Sequence, residues 1–172
     1  MNNSEEFISK YLTKPNKEGG YKIYDIHHEA ETTSELDELS ALQNHKDFII
    51  RMCAARNPNC TPEHLEKASN DEYNSVRRSA ALNPNATKEQ LDKAMNDKES
   101  SIRRCVARNI NATKEHLDKA LNDSDEYVRR MVAKNPNATK EHLDKAMGDG
   151  AEGVRDAAKS SQNYRKFYPN GH

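Results

Sequence analysis

Apolar positions along this chain follow two short helical patterns that alternate and then recur as a pair. Between Thr87 and Asp97, Leu91, Ala94 and Met95 form one apolar stripe; between Ser100 and Arg108, Ile102 and Val106 stand four apart and form a second. A shift of 26 residues brings the pattern back, in Leu65, Leu91, Leu117 and Leu143 and in Ala68, Ala94, Ala120 and Ala146. The polar positions keep the same step: Asp71, Asp97, Asp123 and Asp149, then Arg51, Arg77, Arg103, Arg129 and Arg155. Asn-Pro-Asn stands at 57–59, 83–85 and 135–137, with Asn109-Ile110-Asn111 in the remaining slot. A fixed period of this length, free of insertions, predicts an all-α solenoid whose two-helix units bury their apolar faces on one another.

Local signals place the helix ends. Thr61, Thr87, Thr113 and Thr139 are N-caps, since a threonine hydroxyl accepts from first-turn amides. Gln90 completes a capping box, while His64, His116 and His142 hold that slot elsewhere and are expected to fill it less well, as a row along the surface. Asn96-Asp97 ends the first helix of its unit and Asn109 ends the second; elsewhere the following proline drives the preceding Asn out of helical geometry. Ala81, Ala107 and Ala133 are small enough for adjacent helices to approach closely.

Residues 1–33 lie outside the period and are read as a non-repeat acidic segment: a helix at 4–13, a loop at 14–20 and an extended or strand-like stretch at 21–26. The repeats then run over 34–60, 61–86, 87–112, 113–138 and 139–160, followed by a basic, aromatic tail at 161–172. The first is a degenerate cap built on Leu36, Leu39, Leu42, Phe48 and Ile49. The last is a second cap, in which Asp156 replaces the second arginine of the Arg-Arg pair.

Composition changes this picture only in part. Of 172 residues 34% are hydrophobic and 32% charged, a balance that suits a thin stack with much surface. No apolar run approaches the ~20 residues of a membrane span and no signal segment is seen, so a cytoplasmic protein without membrane contact is expected. Cys53, Cys60 and Cys105 form no CxxC pair, which fits a reducing compartment and predicts neither a disulfide framework nor a zinc site. Residues 1–50 hold ten acids against five lysines, so the rest carries a compensating +4 within a total of −1.

The run Asp-x-x-x-x-Val-Arg-Arg-x-x-Ala, followed by Asn-Pro-Asn-Ala-Thr and a Leu-centred helix, resembles HEAT-like repeats over residues 39–159, and most closely the bacterial leucine-rich repeat variant class. The resemblance implies about five units in a right-handed stack. It also implies a scaffold that binds proteins, with one enzyme branch, the alkylpurine DNA glycosylases, that holds DNA on the concave face. The iron–sulfur cluster of the first-described variant member does not carry over, because no cysteine precedes Cys53, and the chain has no Trp and no glycosylase-like acid. In HEAT-like repeats the Asp and first-Arg positions form an internal ladder, here Asp71, Arg77, Asp97, Arg103, Asp123 and Arg129. A planar guanidinium suits that bridging role.

The second arginine of each pair points elsewhere. A helix that turns Val76 inward turns Arg78 about 200° away, and the residue four further on shares that face. Arg56, Arg78, Arg104, Arg108, Arg130 and Lys134 are therefore expected to form a basic ridge, interrupted by Met52 and Leu82. Lys88, Glu89, Asp92 and Lys93 alternate in sign on the first-helix face and predict a self-neutralised surface. His27-His28 with Asp25, Glu29 and Glu31 lacks a third ligand at defined spacing, so no metal site is expected. No nucleophile–base grouping or phosphate loop appears, so neither an enzyme nor a cofactor is expected. The leading expectation is an interaction module whose ridge binds an acidic protein surface, and the rival is sequence-independent nucleic-acid binding through the same cations. A third possibility is that the acidic stretch 25–38 docks on the ridge, within one chain or between two.

Overall fold

The structure, a computed structural model, describes residue 28 and residues 30–170. The helix at 4–13, the loop at 14–20, the stretch at 21–26 and His27 lie outside the described residues. Among the described residues all regular structure is α-helical. The elements are α1 (Leu36–Leu42), α2 (Phe48–Arg56), α3 (Pro62–Ser69), α4 (Asn74–Leu82), α5 (Lys88–Ala94), α6 (Ser100–Arg108), α7 (Lys114–Ala120), α8 (Glu126–Lys134), α9 (Lys140–Met147), α10 (Glu152–Ser160) and α11 (Gln162–Phe167). They form two compact units that divide between Asn85 and Ala86, with α1–α4 in the first and α5–α11 in the second. That division falls one residue from an expected repeat boundary.

Within each unit short and long helices alternate, and neighbours pack as the units of a helical repeat do. In the first unit α2 lies on α4 and α3 on α4; in the second α8 lies between α6 and α10, and α9 packs on α8 and α10. The core follows the periodic positions. Leu39, Leu65, Leu91, Leu117 and Leu143 are fully buried, and Ile50, Val76, Ile102, Val128 and Val154 line the inner face of the long helices. Leu36 departs from the expected core, since it is half-exposed at the first position of α1, where no earlier turn covers it.

Each threonine caps its short helix, and the histidines complete the capping boxes. The Thr61, Thr113 and Thr139 amides donate to the Nδ1 of His64, His116 and His142 at 3.2, 3.0 and 2.9 Å, as the Thr87 amide does to Gln90 Oε1 at 3.0 Å. The expectation of a weak box and a surface row is corrected here. An imidazole nitrogen reaches back to the N-cap amide as a carboxamide oxygen does, and the rest of the ring then lies inward, so His116 and His142 are buried.

The asparagine after each long helix does more than end it. Asn83 Nδ2 donates to Ala55 O and Asn57 O at 3.0 and 2.9 Å, and Asn135 Nδ2 to Ala107 O and Asn109 O at 2.8 and 2.9 Å. Ala55 O and Ala107 O lie in the last turn of the preceding long helix, whereas Asn57 O and Asn109 O follow it and also accept from the Cys60 and Ala112 amides at 3.1 Å. Each Oδ1 accepts from the amide two residues on, Asn109 from Asn111 at 2.8 Å and Asn135 from Asn137 at 2.8 Å. Asn109 has no proline after it, yet its backbone (φ −66°, ψ 139°) matches that of Asn83 (φ −64°, ψ 132°). The asparagine network, not the proline, therefore holds this turn.

The packed structure begins before Ser34, the expected boundary. Residues 30–32 are helical, Ala30 and Thr33 are buried, and Asn57 Nδ2 donates to Ala30 O and Thr33 O at 3.0 and 2.9 Å. This short turn thus supplies the carbonyls that a preceding long helix supplies elsewhere. At the other end the tail forms α11. Asn163 is buried and donates to Asn135 O at 2.7 Å, while Tyr168 hydrogen-bonds Asp144 and lies under Lys140 at 4.8 Å.

Candidate functional site

Two kinds of arginine leave the long helices, and their surroundings separate them. The first of each pair is fully engaged. Arg103 Nε and Nη2 grip the Asp123 carboxylate at 2.6 and 2.9 Å while Nη1 donates to Asp97 O and Lys98 O at 2.9 and 3.1 Å. Arg129 grips Asp149 at 2.8 and 3.0 Å and donates to Asp123 O and Ser124 O; Arg51 does the same with Asp71, His45 O and Lys46 O. Arg77 donates to Asp71 O and Glu72 O at 3.0 Å each. Each guanidinium thereby clamps its own turn, and those of Arg51, Arg103 and Arg129 also reach the aspartate twenty residues on. The Arg129 hydrogen bonds hold the Asp149 carboxyl below its ordinary range, outweighing the opposing effect of burial. At Asp123 burial pushes upward most strongly, but Arg103 and the Asp125 amide together still hold the carboxyl low.

The second arginines are unengaged. Among the described residues Arg78, Arg104, Arg108, Arg130 and Lys134 make no ion pair and no hydrogen bond from the side chain. Arg104, Arg108 and Lys134 are exposed, whereas Arg78 and Arg130 are half-buried, with Arg130 Nε shielded from solvent and without an acceptor. Full exposure was expected for all of them. A long helix is flanked by its neighbours within the unit, so the stem of a side chain pointing away from the core still lies along an adjacent helix. Arg56 differs again: its Nη1 lies 3.3 Å from Glu31 Oε1, in a pair in which both side chains are over two-fifths exposed. Among the described residues of the acidic stretch 25–38, Glu31 thus pairs with Arg56.

The short-helix face contrasts with this. Lys88, Lys114 and Lys140 bind Asp92, Asp118 and Asp144 one turn on, at 2.8, 3.0 and 2.9 Å. Lys67, Lys119 and Lys145 bind the side-chain oxygens of Asn44, Asn96 and Asn122 in the preceding repeat. Cations on the short helices are neutralised or hydrogen-bonded within the fold, while those on the outer face of α6 and α8 are not. Sequence reasoning missed Tyr127, which lies on the face of α8 shared by Arg130 and Lys134 and is 52% exposed.

Other chemistry is poorly supported. An open groove of about 580 Å³ runs beside Gln43, Asn44, His45, Lys46, Lys67 and Glu72, and its wall includes the closed Arg51–Asp71 pair. Burial pushes the Cys60 thiol up to about 12 and the Cys53 thiol up to about 11, so neither is a ready thiolate at neutral pH. Among the described residues no group of three or more His, Cys, Asp or Glu is placed to hold a metal, and no helix is long and apolar enough to cross a membrane. His28 is exposed; His27 and Glu29, with which it was read, lie outside the described residues. Comparison with known protein families and with curated proteins returns no match.

Proposed function

We propose that this chain is a non-enzymatic interaction module. In this reading it is a right-handed HEAT-like α-solenoid of about five repeats, of the leucine-rich repeat variant kind, working as a cytoplasmic scaffold. The long-helix face of its second unit binds an acidic surface of another protein, with Arg104, Arg108, Arg130 and Lys134 making the contacts. One contrast carries the reading: short-helix lysines are paired inside the fold, whereas four cations on two adjacent long helices have no partner among the described residues. Like charges one turn apart, such as Arg104 and Arg108, cost a few tenths of a kcal/mol each unless an outside anion is present.

The test is binding of an oligo-glutamate peptide and of single-stranded and duplex DNA, at low and moderate salt, to the chain and to an Arg104→Glu/Arg130→Glu variant. The expected result is peptide binding that weakens by more than about tenfold in the variant, with DNA bound no better than the peptide at moderate salt. Preferential, strongly salt-dependent DNA binding lost in the same variant replaces the protein partner with nucleic acid. Binding unchanged by the charge reversal removes the face from consideration.

A further inference from the structure

The repeat is regular enough that its departures stand out, and two of them fall together. Ile110 stands where Pro58, Pro84 and Pro136 stand in the sister turns, and it is 60% exposed. Tyr127 stands where Ile49, Ser75, Ser101 and Gly153 stand, and it is 52% exposed. In the second unit these are the exposed large apolar side chains among the described residues. Ile110 lies two residues past Arg108 at the C-terminal end of α6; Tyr127 lies one turn before Arg130 at the N-terminal end of α8. Of the two helices whose four cations are unpaired among the described residues, α8 thus also carries Tyr127, and Ile110 sits in the turn that leaves α6.

At both positions the backbone arrangement is independent of the side chain. The Asn109 turn keeps its proline-like geometry without proline, so Ile110 gives up the chain stiffening that proline provides and gains exposed apolar surface instead. Tyr127 donates its backbone amide to the Asp125 side chain at 2.8 Å, a bond that any residue there could make. Glu126, one turn before Arg130, makes no ion pair with it. A partner that matches only charge has no use for either apolar side chain.

We infer that the α6/α8 face selects a short acidic peptide segment whose carboxylates are flanked by apolar side chains, with Arg104, Arg108, Arg130 and Lys134 taking the acids and Ile110 and Tyr127 the flanking residues. The inference rests on the acidic-partner reading above and specifies it. The geometry sets the length. Asn135 Nδ2 joins the C-terminal ends of α6 and α8, and Arg103 joins the start of α6 to Asp123 just ahead of α8, so the two helices run side by side in the same direction. A helix of nine residues is roughly 13 Å long and packed helices lie about 8–10 Å apart, so Tyr127 and Ile110 stand diagonally opposite at roughly 16 Å. An extended peptide covers that in about five residues. Arg104 and Arg108, and likewise Arg130 and Lys134, are about 6 Å apart along their helices, which suits carboxylates on alternate residues of the same strand.

The test uses the full chain and two fluorescent peptides of equal charge, one with a block of alternating glutamates between two leucines and one with serines in place of the leucines. The leucine-flanked peptide is expected to bind about tenfold more tightly, the increment that burying two modest apolar contacts provides. In an Ile110→Pro/Tyr127→Ser variant, which restores residues found in the sister repeats, that preference is expected to vanish while the serine peptide binds as before. The same variant is expected to melt no lower than the parent, so that lost preference is not lost folding. Equal binding of both peptides to the parent, or a preference that survives in the variant, overturns the inference and leaves the acidic-partner reading standing. Loss of all peptide binding only in Arg104→Glu/Arg130→Glu, with no leucine preference before it, supports the charge reading alone. No binding of either peptide at low salt overturns both.

Discussion

The Nδ1 atom of His116 accepts from the Thr113 amide, so the neutral ring carries its proton on Nε2, which lies 2.9 Å from Asp92 Oδ1 but off the line of a good hydrogen bond. Burial pushes its pKa down; Asp92 and Glu115 push the other way, and Lys88 adds to the lowering. A histidine with a lowered native pKa leaves the folded state less able to bind a proton than the unfolded chain. Stability is therefore full above the unfolded value of 6.5 and declines as pH falls below it toward the lower native value. Protonation at Nδ1 also removes the acceptor of the capping box, so the loss is structural as well as electrostatic. His116→Gln keeps the box, as Gln90 does in its own repeat, and does not titrate. Urea unfolding at a series of pH values is expected to show near-parental stability at neutral pH and a shallower decline below pH 6.5 in that variant; an unchanged profile excludes His116 as a source of the acid sensitivity. A less comfortable side chain is Gln43, buried where Leu121 and Met95 stand in later repeats. Among the described residues its Nε2 reaches only Cys60 Sγ at 3.6 Å and its Oε1 finds no donor.

Between elements, the long helices are joined by polar clamps at both ends. At the C-terminal ends Asn135, 1% exposed, takes two carbonyls of the α6 terminus; at the N-terminal ends Arg103 ties the turn before α6 to the one before α8. Apolar packing between the two long helices therefore has its register set by directional bonds. Asn135→Ala leaves Ala107 O and Asn109 O without their side-chain donor in a buried place and opens the Asn137 turn, so a loss of about 3 kcal/mol is expected in chemical denaturation. A loss below about 1 kcal/mol means that water replaces the amide and that the clamp contributes little to stability.

Each of the two units has a segment that departs from the regular repeat. In the first unit the turn at 30–33 takes the place of a long-helix terminus, and Glu31 sets an acid beside Arg56. In the second, α11 closes the α9 side and Asp156 interrupts the run of second arginines. A chain beginning at Ser34 removes both acceptors of Asn57 and uncovers apolar surface around α2. It is expected to lose about 2–4 kcal/mol of stability and to associate more readily in sedimentation experiments than the full chain; equal stability and equal sedimentation rule out the capping role of residues 30–33.

Much of this was legible in the chain alone, because a repeat states each rule several times. The two-helix alternation, the α6 limits of Ser100 and Arg108, the threonine caps and the leucine core follow from spacing and from short-range bonds, which depend on neighbours in sequence. The second arginines were also separable from the first by their angle on the helix. What spacing could not reveal depends on which groups of adjacent repeats meet. The depth of His116 and His142, the half-burial of Arg78 and Arg130, the bond from Asn57 back to Ala30 and Thr33 and the pairing of Glu31 with Arg56 all join residues about a repeat apart or sheltered between packed helices. Burial and pairing of that kind are properties of two surfaces in contact, and a one-dimensional pattern specifies each surface without specifying what lies against it.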